Sequence, residues 1–269
     1  MKNLFSLLLF VLLLTSCEEQ MVPIDEIVPP PTDRVVLIEE LTGVKCPNCP
    51  AGSTELARLI KAYPGQVIGV GIHGNFLTTP LDNSAFDFRN EFAEDIEKQF
   101  TWLGKPAAII NRVFFDDQDF QGIDVPALWQ GYVESEFEKE VEADLFLEKI
   151  YDEATRELKV EIRAVGRTNI TEQLNVSVML TESDITDAQL DQTTNITDYV
   201  HNHVLRTMLT SSSGDALAQS LSVGELVTKS FNYTLPPVDG TWKAENMEVI
   251  AFIHSNTHVL QAAEEHVID

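Results

Sequence analysis

Val35-Val36-Leu37-Ile38-Glu39-Glu40-Leu41-Thr42-Gly43-Val44-Lys45-Cys46-Pro47-Asn48-Cys49-Pro50 joins a continuous apolar run to a Cys-x-x-Cys pair. An unbroken apolar run of this kind is what a strand buried on both faces of a sheet requires. Beyond the cysteines, Leu56, Leu59, Ile60 and Tyr63 recur at helical spacing until Pro64-Gly65 stops the helix. A β-branched run over 66–72 follows, and the right-handed crossover rule lays it parallel to the first strand. The stretch therefore predicts a β-α-β unit with the cysteine pair opening its helix.

Further along, Phe88, Phe92 and Ile96 repeat every four residues, which predicts an inserted helix packed on the sheet. Lys105-Pro106 then precedes a third apolar run, 107–110, and a last helix is expected over 125–140. Past Glu142 the period changes to two. Leu158, Val160, Ile162 and Ala164 alternate with mostly polar neighbours, as do Leu174, Val176, Val178 and Leu180. Phe231, Tyr233 and Leu235, then Val249, Ala251 and Ile253, add two more candidate strands, with turn residues at Pro236-Pro237 and Asp239-Gly240. This run of short strands argues for an all-β immunoglobulin-like sandwich after an α/β domain.

The N-terminus has the layout of an export signal. Lys2 supplies a positive charge, 4–14 is almost wholly apolar, and Leu14-Thr15-Ser16-Cys17 matches a lipobox. The apolar run falls short of the roughly 20 residues that span a bilayer. Bacterial signals of this type end in cleavage before the cysteine and its acylation, so Cys17 is the expected lipidation site. An ordinary secretory peptide is the competing reading. Pro23, Pro29, Pro30 and Pro31 make the following segment a semi-rigid tether. The expected organisation is a signal at 1–16, an acylated tether at 17–33, an α/β domain at 34–141 and a β-sandwich at 142–269, two domains being the better prior for this length.

With a formal net charge of −25, made one unit more negative by loss of Lys2, the surface repels nucleic acid phosphates. It also disfavours docking on anionic lipid, leaving the acyl anchor as the expected link to the membrane. Cys17 being consumed, Cys46 and Cys49 are the only thiols left to pair. A cysteine at a helix N-terminus is stabilised as thiolate, which lowers its pKa from about 8.5 toward roughly 3.5–7.5. Cys46 is accordingly the expected exposed, attacking sulfur and Cys49 the resolving one. Lys45 adds positive charge, and Pro47 suits a first helical turn. His73 closes the second strand at the sheet edge that carries Cys46, where open α/β sheets bind ligands; a hydrogen-bonded scaffold histidine is the plainer reading.

A strand, a Cys-x-x-Cys helix, a parallel strand and a proline before a later strand together resemble the thioredoxin superfamily. Glu40-Leu41-Thr42-Gly43-Val44-Lys45-Cys46-Pro47-Asn48-Cys49-Pro50, Gly104-Lys105-Pro106-Ala107-Ala108-Ile109-Ile110-Asn111-Arg112 and His201-Asn202-His203-Val204-Leu205-Arg206 resemble a Bacteroidota family of outer-membrane lipoproteins named for a twenty-eight-kilodalton protein. The resemblance implies an outer-membrane location, a cis-proline at Pro106 lying against the disulfide, a substrate-pairing backbone at Lys105, and a buried acid at Glu40 serving the second cysteine, with Glu39 as the alternative. It departs from the superfamily pattern in placing Lys45 where an aromatic residue is usual.

Two functions follow as expectations. One is thiol-disulfide exchange with cysteine-bearing protein clients, without a cofactor. The other is a non-enzymatic binding lipoprotein in which the pair is an inert staple, as an oxidising compartment permits. A half zinc site is the weakest reading because no second cysteine pair exists. His201 and His203, two apart, are expected to share one strand face in packing and not to bind metal.

Overall fold

The computed structural model describes residues 32–237 and 242–268. The expected signal, the lipidation site Cys17, most of the tether and the Asp239-Gly240 turn lie outside the described residues.

Every residue of β1 (Val36–Leu41) is buried, and its two faces meet different partners. Val36 and Ile38 pack with Leu56 and Leu59 of α1 (Cys49–Ala62), while Leu37 and Leu41 lie in an apolar cluster on the opposite face. β2 (Val67–Ile72) runs parallel to β1, with Val36 opposite Val67. Between them α1 ends because Pro64 has no N–H to continue it and Gly65 adopts a φ of 73°. α2 (Glu91–Gln99) is capped by Asn90, whose side chain accepts from Ala93 N at 2.9 Å. β3 (Ala107–Ile110) then pairs with β1 antiparallel, and α3 (Trp129–Phe137), entered through a 3-10 turn at Pro126–Leu128, covers the α1 face. Phe88 is not on α2, contrary to its spacing; it packs beside Val44, Ile185 and Val204.

The later segment is strand-rich. β4 (Ala143–Asp152), β5 (Glu157–Gly166), β6 (Leu174–Glu182), β7 (Ile185–Asp191), β8 (Thr194–His201), β9 (Val204–Met208), β10 (Asp215–Ala218), β11 (Leu226–Thr234), β12 (Met247–His254) and β13 (Val259–His266) follow in order. Strands β11, β5 and β4 form one small sheet. β9 joins the first segment directly, pairing parallel to β2 on one side and antiparallel to β6 on the other. The main sheet consequently runs β13-β12-β6-β9-β2-β1-β3, with β10 attached to β6.

The boundary expected between 141 and 142 thus separates neither sheet nor core, and the described residues from Thr32 onward form one compact unit. One face of the sheet carries a single apolar cluster from Leu37, Ile68 and Ile109 through Met179 and Leu205 to Ile250 and Phe252. The other face is covered by α1 and α3 at one end and by the β4-β5-β11 sheet at the other. That second packing sets the β4-β5-β11 layer against strands of the shared sheet, so the later segment is β-rich but does not make a sandwich of its own as expected. β5 keeps the alternation read from sequence, whereas β12 is buried along its whole length because both its faces are covered.

Two acidic residues inside a fully buried strand need partners. Glu39 receives two bonds from Arg112, Nε at 2.8 Å and Nη2 at 2.7 Å, and the guanidinium lies over the Phe252 and Phe100 rings at 4.7 and 5.4 Å. Asn111 and Arg112 hold φ values of 46° and 57°, a left-handed pair that Asn111 stabilises by accepting from Leu37 N and donating to Glu136. Arg112→Ala is expected to cost about 3–5 kcal/mol in urea unfolding, because it strands a buried carboxylate. A double variant, Glu39→Ala with Arg112→Ala, should recover part of that loss; strict additivity would show that the pair is not coupled.

Candidate functional site

Cys46 and Cys49 form a disulfide with a Cα–Cα separation of 5.3 Å. Helix α1 begins at Cys49, so Pro50 and not Pro47 occupies its first turn, and Cys46 lies in the preceding turn, where its carbonyl accepts from Cys49 N at 3.3 Å. The expected exposure of Cys46 is overturned: the two cysteines are 0% and 1% exposed. The loop that carries them is bonded by residues more than 130 positions downstream. β7 and β8 form a separate two-stranded hairpin, and β7 lies along the cysteine loop. Leu190 N donates to Val44 O and Gln192 N to Pro47 O, both at 2.9 Å. The Gln189 side-chain amide donates to Gly43 O at 3.3 Å and Cys46 O at 3.2 Å. The Gln192 amide reaches Pro47 O and Asn48 Oδ1.

Alternation along β1 sends Glu39 to Arg112 and Glu40 to the α1 side. Beneath the first turn of α1, Ser53 Oγ donates to both Glu40 oxygens, at 3.1 and 3.2 Å. Gly52, three residues after Cys49 and hence on the same helical face, marks the closest approach. A Cβ there would stand 2.5 Å from Pro106 Cβ and 2.8 Å from Glu40 Oε1. The Lys105–Pro106 peptide is cis. Glu40, Pro106 and the disulfide helix are therefore in mutual contact around one glycine. Burial pushes the Glu40 carboxyl up to about 8, against the opposing pull of Ser53, Thr42 and Lys105.

Lys105 is buried, not open to a substrate. Its Nζ donates to Thr42 O (3.0 Å), Phe76 O (2.9 Å) and Glu97 Oε2 (2.9 Å), satisfying all three ammonium protons. Glu97 also accepts from Asn75 N, and Gly74 is required beside it, since a Cβ would fall 1.7 Å from Glu97 Oε2. Burial draws the Lys105 ammonium below its usual range while Glu97 pulls it back up.

His73 is buried beside Phe88 and His201, its ring 6.2 Å from the His201 ring. Burial holds His73 well below 6.5 and His201 at about 4, so both imidazoles are neutral near pH 7. His201 ends β8, whereas His203 lies beyond it at a φ of 55°, so the two do not share a strand face. Together with Glu40, Ser53 and Tyr199, they line a polar cavity of about 280 Å³. Tyr199 reaches Ser53 from the hairpin. No group of three or more His, Cys, Asp or Glu side chains that could hold a metal ion is present among the described residues. Sequence reasoning missed Gln189, Gln192, Tyr199 and Ser53; none carries a local signal, because their partners are set by the hairpin's landing place.

These features define a mixed α/β protein with a β-rich segment that closes over a Cys-x-x-Cys disulfide. The family described as Outer membrane protein Omp28 matches residues 93–268, and the chain belongs to that family of outer membrane proteins. Among solved structures, HBP35 of Porphyromonas gingivalis is similar at a TM-score of 0.68 and 16% identity, over 87% of this chain and 75% of that one. A protein from Agrobacterium tumefaciens is similar at a TM-score of 0.52 and 13% identity, over 87% and 95%. Both likenesses are of fold. No curated protein matches the chain.

The site yields two predictions. Gly52→Ala is expected to lower stability by roughly 1–3 kcal/mol, since neither the prolyl ring nor the carboxyl beneath it has room to yield; an unchanged urea midpoint would show that contact to be slack. Glu40 holds its proton to about pH 8 when folded and releases it near 4.5 when unfolded, so the folded chain binds more protons between those values. Its contribution to stability is complete below 4.5 and is lost as pH rises through 8. The melting temperature of the wild-type chain should fall relative to that of Glu40→Gln across this window, and parallel curves would mean that Glu40 is ionised in the fold.

Proposed function

We propose that the chain is a lipid-anchored envelope protein whose first segment is thioredoxin-like and exchanges thiols and disulfides with protein clients through Cys46 and Cys49. The observation that carries this reading is the contact of three groups around Gly52: the disulfide helix, the cis-proline Pro106 and the buried acid Glu40. An inert staple needs neither an acid beneath it nor a carboxyl that keeps its proton near neutrality.

In this mechanism a client thiolate attacks Cys46 Sγ. The Cys46–Cys49 bond breaks, a client–Cys46 disulfide forms, and Cys49 leaves as thiolate, taking a proton from Glu40, which is restored by the proton the first client thiol gave up on ionising. A second client thiol then loses its proton and attacks the client sulfur of the mixed disulfide, expelling Cys46 as thiolate, which takes up a proton. The client dithiol becomes a disulfide and the Cys46–Cys49 disulfide becomes a dithiol, so two electrons and two protons are balanced. Pro106 lines the approach to the sulfurs. The lipid anchor is assigned to Cys17, and the supporting observation is its lipobox.

A binding lipoprotein with a structural disulfide is the second reading, and the near-complete burial of both cysteines favours it. The reduction potential of the Cys46–Cys49 pair, measured by equilibration with glutathione buffers and alkylation of free thiols, separates the two. A potential between about −270 and −120 mV is expected for the exchange reading, and one below roughly −300 mV would replace it with the staple.

A further inference from the structure

Strand β7 lies against the loop that carries Cys46, and its contacts divide into two kinds. The base of the hairpin is anchored by apolar packing and by a carboxylate: Ile185 lies among Val44, Phe88 and Val204, and Asp187 accepts from Ala85 N at 2.8 Å and Phe86 N at 2.9 Å. Beyond the base, pairing with β8 is irregular between Asp187 and Gln189, a bulge of the kind that bends a strand and re-aims its side chains. Past the bulge, Gln189, Leu190 and Gln192 hold the cysteine loop through the hydrogen bonds already given. Leu190 N lies on β7 and Gln192 N opens the turn that follows, two residues on, and the extended chain between them, which ends at Asp191, turns both donors to one side. Much of β8 above them, Thr194, Asn195, Thr197, Asp198 and Val200, is exposed.

We infer that the chain from Gln189 on β7 to Gln192 in the turn that follows it occupies, in cis, the position along Val44–Pro47 at which an extended stretch of client backbone binds, and that this part of the hairpin withdraws about the Ala188 bulge before a client thiol reaches Cys46. The client is thereby a polypeptide segment in extended conformation, able to replace the donors of Leu190 and Gln192 to Val44 O and Pro47 O. A folded domain presenting a helix would not replace them. The base, fixed by Ile185 and Asp187, stays seated, so opening is local and the sheet and its apolar cores remain intact. This inference rests on the exchange reading only for its client. The cover itself can be tested whatever the potential of the disulfide.

The test is the rate at which a phosphine reductant, tris(2-carboxyethyl)phosphine, reduces Cys46–Cys49 in the full chain, with released thiols alkylated and counted by mass spectrometry. Gln189→Ala removes the side-chain bonds to Gly43 O and Cys46 O, and Gln192→Ala, at an exposed position, removes those to Pro47 O and Asn48. Each is expected to speed reduction at least fivefold while amide exchange in β1 and β2 is unchanged. The wild-type rate should exceed global unfolding at least tenfold. Reduction no faster than global unfolding, or unaltered in both variants, would overturn the inference, the first because the cover never opens alone and the second because β7 does not limit access. For the client, Cys49→Ser leaves Cys46 as a free thiol, and its thiolate attacks an unfolded polypeptide whose single cysteine carries 5-thio-2-nitrobenzoate, forming the Cys46–client disulfide as the client–thionitrobenzoate bond breaks and thionitrobenzoate leaves. The amides of Leu190 and Gln192 should lose their exchange protection in the trapped complex, and their continued protection would mean that the client binds without displacing β7. A potential below roughly −300 mV combined with accelerated variants would sink the exchange reading and leave the opening intact.

Discussion

The Lys105 ammonium is the constraint on which the site depends. A fully buried cation is tolerated only if its charge and its three protons are all satisfied. Here the partners are Glu97 on α2, Thr42 after β1 and Phe76 after β2, so one side chain ties α2 to the ends of the paired strands β1 and β2. Because Lys105 immediately precedes Pro106, fixing the ammonium also fixes the ring that abuts Gly52. Glu97 repeats the logic from the other side, bonding the Asn75 amide and leaving room only for glycine at 74.

Around this tie, β1 places two glutamates on opposite faces with opposite solutions to burial. Glu39 is matched by a bidentate guanidinium. Glu40 has hydroxyl partners and a more distant ammonium, and takes the neutral form over a wider pH range because desolvation outweighs them. A strand of sequence VLIEEL thus carries a structural charge and a proton-holding group side by side. Pleat alternation alone distinguishes them.

The β-rich segment is part of the same site and not an appendage to it. β9 enters the sheet beside β2, and this pairing brings the preceding hairpin across the cysteine loop. The chemistry-bearing residues of the first segment are accordingly finished by Gln189, Gln192, Tyr199 and His201 from the second. The Omp28 family match begins inside α2 of the first segment and runs through the described strands of the later one, so it spans both contributors to the shared sheet.

Local sequence determined the elements whose causes are local. The apolar runs of β1 and β2, the helical spacing and Pro64-Gly65 stop of α1, the strand after Pro106 and the alternation of β5 were all legible, because burial period and chain-breaking residues act within a few positions. Cys46 and Cys49 were named from sequence, Glu40 (with Glu39 as its alternative) and Pro106 through resemblance, and the fold brings Glu40, Pro106 and the disulfide helix to one place at Gly52. Tertiary structure alone decided that the sheet crosses residue 142, that Lys105 faces inward, that His201 and His203 part company, and that the sulfurs are covered. Each of these turns on a partner far along the chain: β9 on β2, Glu97 on Lys105, Gln189 on Cys46. A polar side chain such as Gln189 reads as solvent-facing in sequence until the carbonyls it must satisfy are brought to it by the fold.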